Sequence, residues 1–363
     1  MSGQISDGVE PDIDCRLDKS SIHVCAIDTV DYHTGGEPFR IVLNSKLPIP
    51  GQSAAERLIL ATEDSEVDRL RRMLCHEPRG HAGMFGGFLT PPDNPGADFG
   101  ALFWHGDGFS AACGHGTIAL GVWAIESGRV IADPSGTTDV TIDVPSGRVV
   151  ARVHANGEHI TEVDFINVPS YALATDVEIA TSRGKVIVDV GYAGSNYVHL
   201  RAADVGLSVT RDNINELVDI GRELKTLMSD TLRTQPSARS GRSGIYGTII
   251  FDEIDEIDED ESGNLHQRNV TIFADGAFDR SPCGSGSASR IAVLDAREKL
   301  RHGAYLTHES IVGSLFTCSI MSRTTADGFD AVVARITGMA YRTGSSHFTA
   351  DPADPLASGF VVQ

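Results

Sequence analysis

Short stretches rich in β-branched residues, each closed by turn-forming residues, recur along most of this chain. They fall first at 22–28, 40–43, 100–104, 138–144, 149–154, 162–168 and 185–190. The second half repeats the style at 246–251, 269–274, 314–320 and 331–338. Runs of this length and composition predict β-strands. Three segments break the pattern. Ile118, Val122 and Ile125 recur at i, i+4 and i+7 and stop at Gly128, which predicts a helix following Cys113. Ala288, Ile291, Ala292 and Val293 predict a second, following Cys283 and ending near Gly303. An amphipathic helix at about 213–228 stands between the halves. No run of 18 or more apolar residues is present, which excludes a helical membrane span.

The two helix entries echo each other. Cys113-Gly-His-Gly-Thr-Ile-Ala-Leu and Cys283-Gly-Ser-Gly-Ser-Ala-Ser-Arg share a C-G-x-G core, 283 − 113 = 170 residues apart. The simplest architecture is therefore two similar α/β halves, each with antiparallel strands wrapped round one buried helix. A boundary is expected near residue 170, after Asn167-Val168-Pro169-Ser170. The first half is assigned to 22–170 and the second to 171–343, with 344–363 returning to the first half. Residues 1–21 are polar and acidic, with no basic and apolar leader pattern, and read as a disordered tail.

Composition narrows the partners. The chain has 363 residues and a formal net charge of −20, which disfavours nucleic acid and anionic membrane surfaces. Part of that charge is one run, Asp252-Glu-Ile-Asp-Glu-Ile-Asp-Glu-Asp-Glu261, which lacks the Gly-centred spacing of a calcium loop and reads as a solvated loop. No metal site is expected. The six cysteines, at 15, 25, 75, 113, 283 and 318, form no CxxC pair and suit reduced thiols in a cytoplasmic protein. Cys15, Cys25, Cys75 and Cys318 read as small buried hydrophobes.

Cysteine at a helix start has a chemical use. The first N–H groups of a helix have no intrahelical partner and the dipole there favours negative charge. A thiolate becomes accessible near neutrality, and the same N–H groups suit a substrate carboxylate. Two such sites suggest a ligand clamped between two thiols. Inverting a stereocentre beside a carboxylate needs a base on one face and an acid on the other, with donors stabilising the charge that develops. No electron-sink cofactor is required. Rival readings are a structural disulfide between the two cysteines, a Cys113/His115 protease-like dyad and a phosphate cradle. A cytosolic chain disfavours the first. Residues this close at a helix start rarely align as a dyad, and neither turn matches GxxxxGK[ST] or GxGxxG.

Beyond these turns the chain shows Asp31-Tyr-His-Thr-Gly-Gly-Glu-Pro, Glu77-Pro-Arg-Gly-His, Asp279-Arg-Ser-Pro-Cys-Gly-Ser-Gly and a closing Asp354-Pro-Leu with Gly359-Phe360. With these motifs it resembles the proline racemase family from about residue 22 to the C-terminus. The resemblance implies a diaminopimelate-epimerase-like fold, a site in the cleft between two halves, no cofactor, and a homodimer. It also implies an imino-acid substrate, with Cys113 and Cys283 catalytic. Gly114, His115, Asp279, Gly284 and Ser285 are then expected round the substrate's carboxylate and ring nitrogen, and Phe85 and Phe273 as walls of its ring.

Members of the family differ in reaction. Racemases and 4-hydroxyproline 2-epimerases keep both cysteines, whereas trans-3-hydroxy-L-proline dehydratases of animal type carry Thr at the second. Cys283 favours two-base inversion. Arg79-Gly-His-Ala-Gly-Met-Phe-Gly, Phe109-Ser and Tyr341-Arg-Thr-Gly-Ser look like the dehydratase branch, and Cys113-Gly-His-Gly-Thr-Ile looks like the 4-hydroxyproline epimerases. The expectation is a racemase or 2-epimerase of proline or hydroxyproline. Proline is placed slightly ahead because a wall of two phenylalanines leaves a ring hydroxyl unpaired, at a cost of about 1–3 kcal/mol. Dehydration is the alternative, and a non-catalytic imino-acid binding protein the rival from another class.

Overall fold

The computed structural model describes residues 25–43, 48–233, 244–254 and 263–362. The first half comprises β1 (Cys25–Thr34), β2 (Glu37–Val42), α1 (Ala54–Glu63), α2 (Ser65–Cys75), β3 (Phe85–Thr90), β4 (Phe99–His105), β5 (Gly108–Ser110), α3 (Gly114–Glu126), β6 (Thr137–Val144), β7 (Gly147–Asn156) and β8 (His159–Ile166). The second comprises β9 (Tyr171–Thr181), β10 (Gly184–Tyr192), β11 (Asn196–Arg201), α4 (Ile214–Arg233), β12 (Gly247–Glu253), β13 (Leu265–Phe273), β14 (Ala277–Phe278), α5 (Gly284–Ala296), β15 (Tyr305–Ser310), β16 (Leu315–Ala326) and β17 (Phe329–Gly338). A last strand, β18 (Ala340–Ala350), pairs antiparallel with β1 across ten residue pairs. Gly359-Phe360 lies back on the first half, where Phe360 and Glu77 exchange backbone hydrogen bonds of 3.1 and 2.9 Å.

The echo of the two cysteine turns extends to the whole topology. In the first half neighbouring strands run β18-β1-β2-β3-β4-β6-β7-β8, and in the second β9-β10-β11-β12-β13-β15-β16-β17. Antiparallel and parallel pairings fall in the same places. β2–β3 and β4–β6 are parallel, as are β11–β12 and β13–β15. Each parallel pair brackets a helical crossover, because a tight turn cannot join parallel strands. The expectation of purely antiparallel wrapping is thus corrected at four pairings. The halves join where β8 pairs antiparallel with its counterpart β17.

Each half is wrapped round one buried helix. In α3 every residue from Gly114 to Ala124 is buried, as a helix apolar on all sides requires. Its counterpart α5 is buried from Gly284 to Leu294 although it carries Ser287, Ser289 and Arg290. These polar groups are paired: Ser287 Oγ with His308 Nδ1 at 2.7 Å, Ser289 Oγ with His199 Nε2 at 2.8 Å, and Arg290 Nε to Gln267 Oε1 at 2.9 Å. α5 ends at Ala296, not near Gly303, with Glu298 at a positive φ of 55° turning the chain away.

Helix α4 does not stand between the halves. Leu217, Ile220, Leu224 and Met228 bury against Val198, Leu200, Ile250 and Val270 on the second half's own sheet. In the first half α1 and α2, not anticipated from sequence, hold the corresponding crossover. Arg71, buried at 4% exposure in α2, donates to the carbonyls of His105 and Gly106. No helix is long and apolar enough to cross a membrane among the described residues. The 1–21 tail, Cys15, the side chain of Cys25, and all of the acidic run from 255 onward lie outside them.

Candidate active site

The two central helices meet at their N-termini. Cys113 caps α3 and Cys283 caps α5, so each thiol stands where its helix presents unpaired N–H groups. The glycine after each cysteine makes this meeting possible. A Cβ on Gly284 would lie 2.6 Å from the Gly114 Cα, and one on Gly114 2.6 Å from the Gly284 Cα. The second glycine of each turn lets the sulfur fold back against the helix. A Cβ on Gly116 or Gly286 would lie 2.8 Å from the sulfur of Cys113 or Cys283, and Gly286 N–H donates to Cys283 Sγ at 3.3 Å.

The caps are not identical. Cys113 is extended, with φ −153°, whereas Cys283 has φ 65°, a strained conformation for a residue with a Cβ. Two bonds to the peptide group that precedes it hold it there. Cys283 N–H donates to Ser281 Oγ at 3.1 Å, and Asn269 Nδ2 donates to the Pro282 carbonyl at 3.2 Å.

One pocket gathers Phe85, Cys113, Gly114, His115, Phe273, Asp279, Cys283 and Ser285. Gly284 sits beside it, against Gly114. The Phe85 and Phe273 rings approach to 5.1 Å, and Phe85 meets His115 edge-on at 4.8 Å. Four lining residues were not anticipated: Ala112, Tyr197, Tyr246 and Thr271. Tyr246 and Thr271 lie inside predicted strands and carried no separate signal. They correct the picture of a wholly apolar wall, because they bring hydroxyl groups to it, and the argument for proline over hydroxyproline lapses.

Burial dominates the electrostatics. It pushes both the Cys113 and Cys283 thiols up, and the N–H groups of Gly116 and Gly286 pull them back only in part. Burial thus works against the thiolate that the helix starts were expected to make accessible. The four described cysteines Cys75, Cys113, Cys283 and Cys318 are all free, so the two thiols form no disulfide. Cys75 and Cys318 are fully buried.

His115 does lie beside Cys113, with its two ring nitrogens 3.6 and 3.7 Å from the sulfur. Burial lowers its pKa to about 3, so it is a neutral ring that takes no proton from the thiol near neutrality. The dyad fails on proton affinity, although the two residues do touch.

Asp279 links the cavity to the loop before Cys283. Its Oδ1 accepts from Ser281 N–H at 2.7 Å, and its own N–H donates to the Thr271 carbonyl at 2.9 Å. Burial raises its pKa to about 6. The buried Glu37 carboxyl reaches this loop from the β1–β2 hairpin and accepts from Arg280 N–H at 2.7 Å. Burial and the Asp279 charge raise Glu37 as well. That contact ties the Asp31–Pro38 motif of one half to the Asp279–Gly286 motif of the other. Asp31 anchors Arg40 through bonds of 2.9 and 2.8 Å, and Arg40 in turn donates to the carbonyls of Leu74 and Arg79.

The raised Asp279 pKa makes folding take up a proton between its ordinary value of 3.8 and about 6. Stability from this group is therefore lost as pH rises through that window. Asp279→Asn, neutral at every pH, is expected to raise the melting temperature more at pH 7 than at pH 4 while lowering turnover. An equal shift at both values in thermal melts would contradict it.

Known proteins are similar to this one over nearly the full chain. The family model described as proline racemase matches residues 29–361. The chain belongs to the proline racemase family. It is 38% identical over 334 residues to a trans-3-hydroxy-L-proline dehydratase of Bacillus thuringiensis subsp. konkukian, covering 92% of this chain and 97% of that one. It is 39% identical over 339 residues to a 3-hydroxyproline 2-epimerase of Burkholderia multivorans, covering 93% and 98%. The crystal structure of a hydroxyproline epimerase from Agrobacterium vitis with bound trans-4-hydroxy-L-proline superposes with a TM-score of 0.84 at 29% identity, over 93% and 96% of the two chains. A PhzF-family protein of Bacillus anthracis, at TM-score 0.56 and 13% identity, shares the fold alone. The chain is thus an enzyme of a family whose members include epimerases and dehydratases, with the mixed α/β fold expected.

Proposed function

We propose that this enzyme inverts the α-carbon of a hydroxyproline, with trans-3-hydroxy-L-proline as substrate and Cys113 and Cys283 as the acid–base pair. The observation that carries the reading is the placement of two free thiols, one from each half, on one pocket beneath two abutting helix N-termini. The substrate carboxylate would face the first N–H groups of α3 and α5, at Gly114, His115, Gly284 and Ser285. Its ring would lie between Phe85 and Phe273. The substrate's own ammonium, next to Asp279, supplies the positive charge that lowers a thiol's proton affinity in so dry a site. One sulfur then takes the α-proton while the other thiol delivers a proton to the opposite face. The choice of a 3-hydroxylated ring follows the 3-hydroxyproline enzymes at 38 and 39% identity.

Dehydration is the second reading, favoured by the name of the Bacillus relative. It begins with the same proton abstraction. The C3 hydroxyl then leaves as water with a proton from an acid in the site, and the cyclic enamine tautomerises to the imine. The test is a panel of L-proline, trans-4-hydroxy-L-proline and trans-3-hydroxy-L-proline in D₂O. Chiral chromatography reads inversion, proton NMR reads exchange at Cα, and 2-aminobenzaldehyde traps the cyclic imine. The expected result is the 2-epimer of trans-3-hydroxy-L-proline, deuterated at Cα. Imine without epimer would establish the second reading, and no exchange with any of the three would overturn both.

A further inference from the structure

Tyr197 is fully buried, packs with Ile249 against Cys283, and lines the pocket together with Ser285. Its phenol oxygen lies 2.7 Å from the Ser285 Oγ, and neither oxygen bonds any other protein group among the described residues. Two hydroxyls joined by one hydrogen bond carry two protons and use one. The phenol is the stronger acid, so Tyr197 donates, Ser285 accepts, and the Ser285 proton is left over. A buried donor without an acceptor is costly, which marks this proton as placed for a guest in the pocket. The other central helix has no such pair. There β2 is the counterpart of β11, and Phe39 opens the parallel pairing of β2 with β3 as Tyr197 opens that of β11 with β12. Phe39 offers only a hydrocarbon ring, edge-on to His115 at 5.9 Å. The two sides of the pocket thus differ: a hydroxyl pair beside Cys283, a phenylalanine and a neutral imidazole beside Cys113.

We propose that the Tyr197–Ser285 pair is the receptor for the substrate's C3 hydroxyl, with Ser285 as the donor and Tyr197 as the residue that aims it. The inference rests on the reading of a 3-hydroxylated proline held between the two thiols, and assigns the group that recognises its hydroxyl. Three polar groups of that substrate surround Cα. Helix N–H groups take the carboxylate and Asp279 the ammonium, in the arrangement proposed above. The third, the C3 hydroxyl, sits on the ring carbon bonded to Cα, so it cannot stand far from the sulfurs that flank Cα. A hydroxyl pair packed on one of those sulfurs is within its range. A C4 hydroxyl is one bond further out, toward the ring wall of Phe85 and Phe273. A site built to hydrogen-bond a substrate hydroxyl rejects the analogue that lacks it, because its own polar groups then stay unpaired. L-proline would leave the Ser285 proton idle, and trans-3-hydroxy-L-proline would engage it.

The test is substrate-selective loss of activity. Tyr197→Phe keeps the ring that packs on Cys283 and removes only its oxygen. kcat/KM is read as α-proton exchange in D₂O for L-proline, trans-4-hydroxy-L-proline and trans-3-hydroxy-L-proline, with thermal melts alongside. The parent should prefer trans-3-hydroxy-L-proline. Tyr197→Phe should lose about tenfold on that substrate and less than about twofold on the other two, as expected for one hydrogen bond. Ser285→Ala should lose at least as much on trans-3-hydroxy-L-proline. Adding Tyr197→Phe to it should cost little more, because the phenol acts through the serine. With the parent's preference as expected, a uniform loss on all three substrates, a loss confined to trans-4-hydroxy-L-proline, or no loss would each overturn the pair alone. The hydroxyls would then serve the carboxylate, C4 or the fold. A parent that prefers L-proline or trans-4-hydroxy-L-proline would overturn the substrate reading and the pair together. If the parent forms imine and no epimer from trans-3-hydroxy-L-proline, the reaction changes but the same selective loss, read on the imine, supports the pair.

Discussion

Replacing Cys113 or Cys283 by serine is expected to lower epimerisation by at least about 10³-fold while leaving the fold intact. Proton transfer by a positioned side chain contributes about 10²–10⁴-fold, and a serine hydroxyl is a far weaker acid than a thiol. Its oxygen is also smaller than sulfur, so packing round 5 and 7% exposed side chains tolerates the change. The two variants should differ in a telling way. With one thiol left, the enzyme can remove and return the α-proton on a single face, so each variant should exchange deuterium into only one epimer. Cys113→Ser and Cys283→Ser should choose opposite epimers. Proton NMR in D₂O on each pure epimer reads this directly, and inversion at the parental rate in either variant would end the two-thiol mechanism.

Gly114→Ala and Gly284→Ala are expected to be nearly as damaging for a different reason. The new Cβ would meet backbone at 2.6 Å, where no side chain is free to move aside. The N-termini of α3 and α5 would have to part by about 1 Å. Overpacking of this kind costs about 1–3 kcal/mol, and a misplacement of that size at reacting groups can cost about 10²-fold in rate. Gly344→Ala, where nothing lies within 4 Å of the added carbon, is the control. Denaturant melts and the epimerisation assay should separate the two central glycines from Gly344. Indistinguishable behaviour would mean that the helices do not meet as described.

The elements most legible in the sequence are those whose burial is apolar. The strands at 138–144 and 149–154 correspond to β6 and β7, and the run from Ile118 to Ile125 lies within α3, because alternation and 3.6-residue spacing report one-sided or complete burial. Where polar groups are buried, the pattern fails. α5 ends earlier than the stop expected near Gly303, and its core face includes Ser287, Ser289 and Arg290, whose partners come from β11, β13 and β15. β18 is a strand of Ala340-Tyr-Arg-Thr-Gly-Ser-Ser-His-Phe-Thr-Ala350, polar along most of its length, and it forms because β1 offers a pairing edge. Such an edge is supplied by residues more than 300 positions away and leaves no local trace.

The same division runs through the candidate site. By itself the sequence determined that two cysteines open two glycine-rich helices half a chain apart, and that Asp279 and the flanking motifs go with them. Only the tertiary structure decided that the helices meet end to end, which makes Gly114 and Gly284 a contact between halves. It also brought the Glu37 carboxyl under the Arg280 backbone and Thr271 to the same pocket as Cys283. Above all it decided how strongly burial opposes the charged form of the thiols. A helix N-terminus is a local feature that lowers a thiol's proton affinity and can be read from sequence. Desolvation is the summed effect of every residue packed round the cavity, so it appears only when the chain has folded, and here it is the larger of the two.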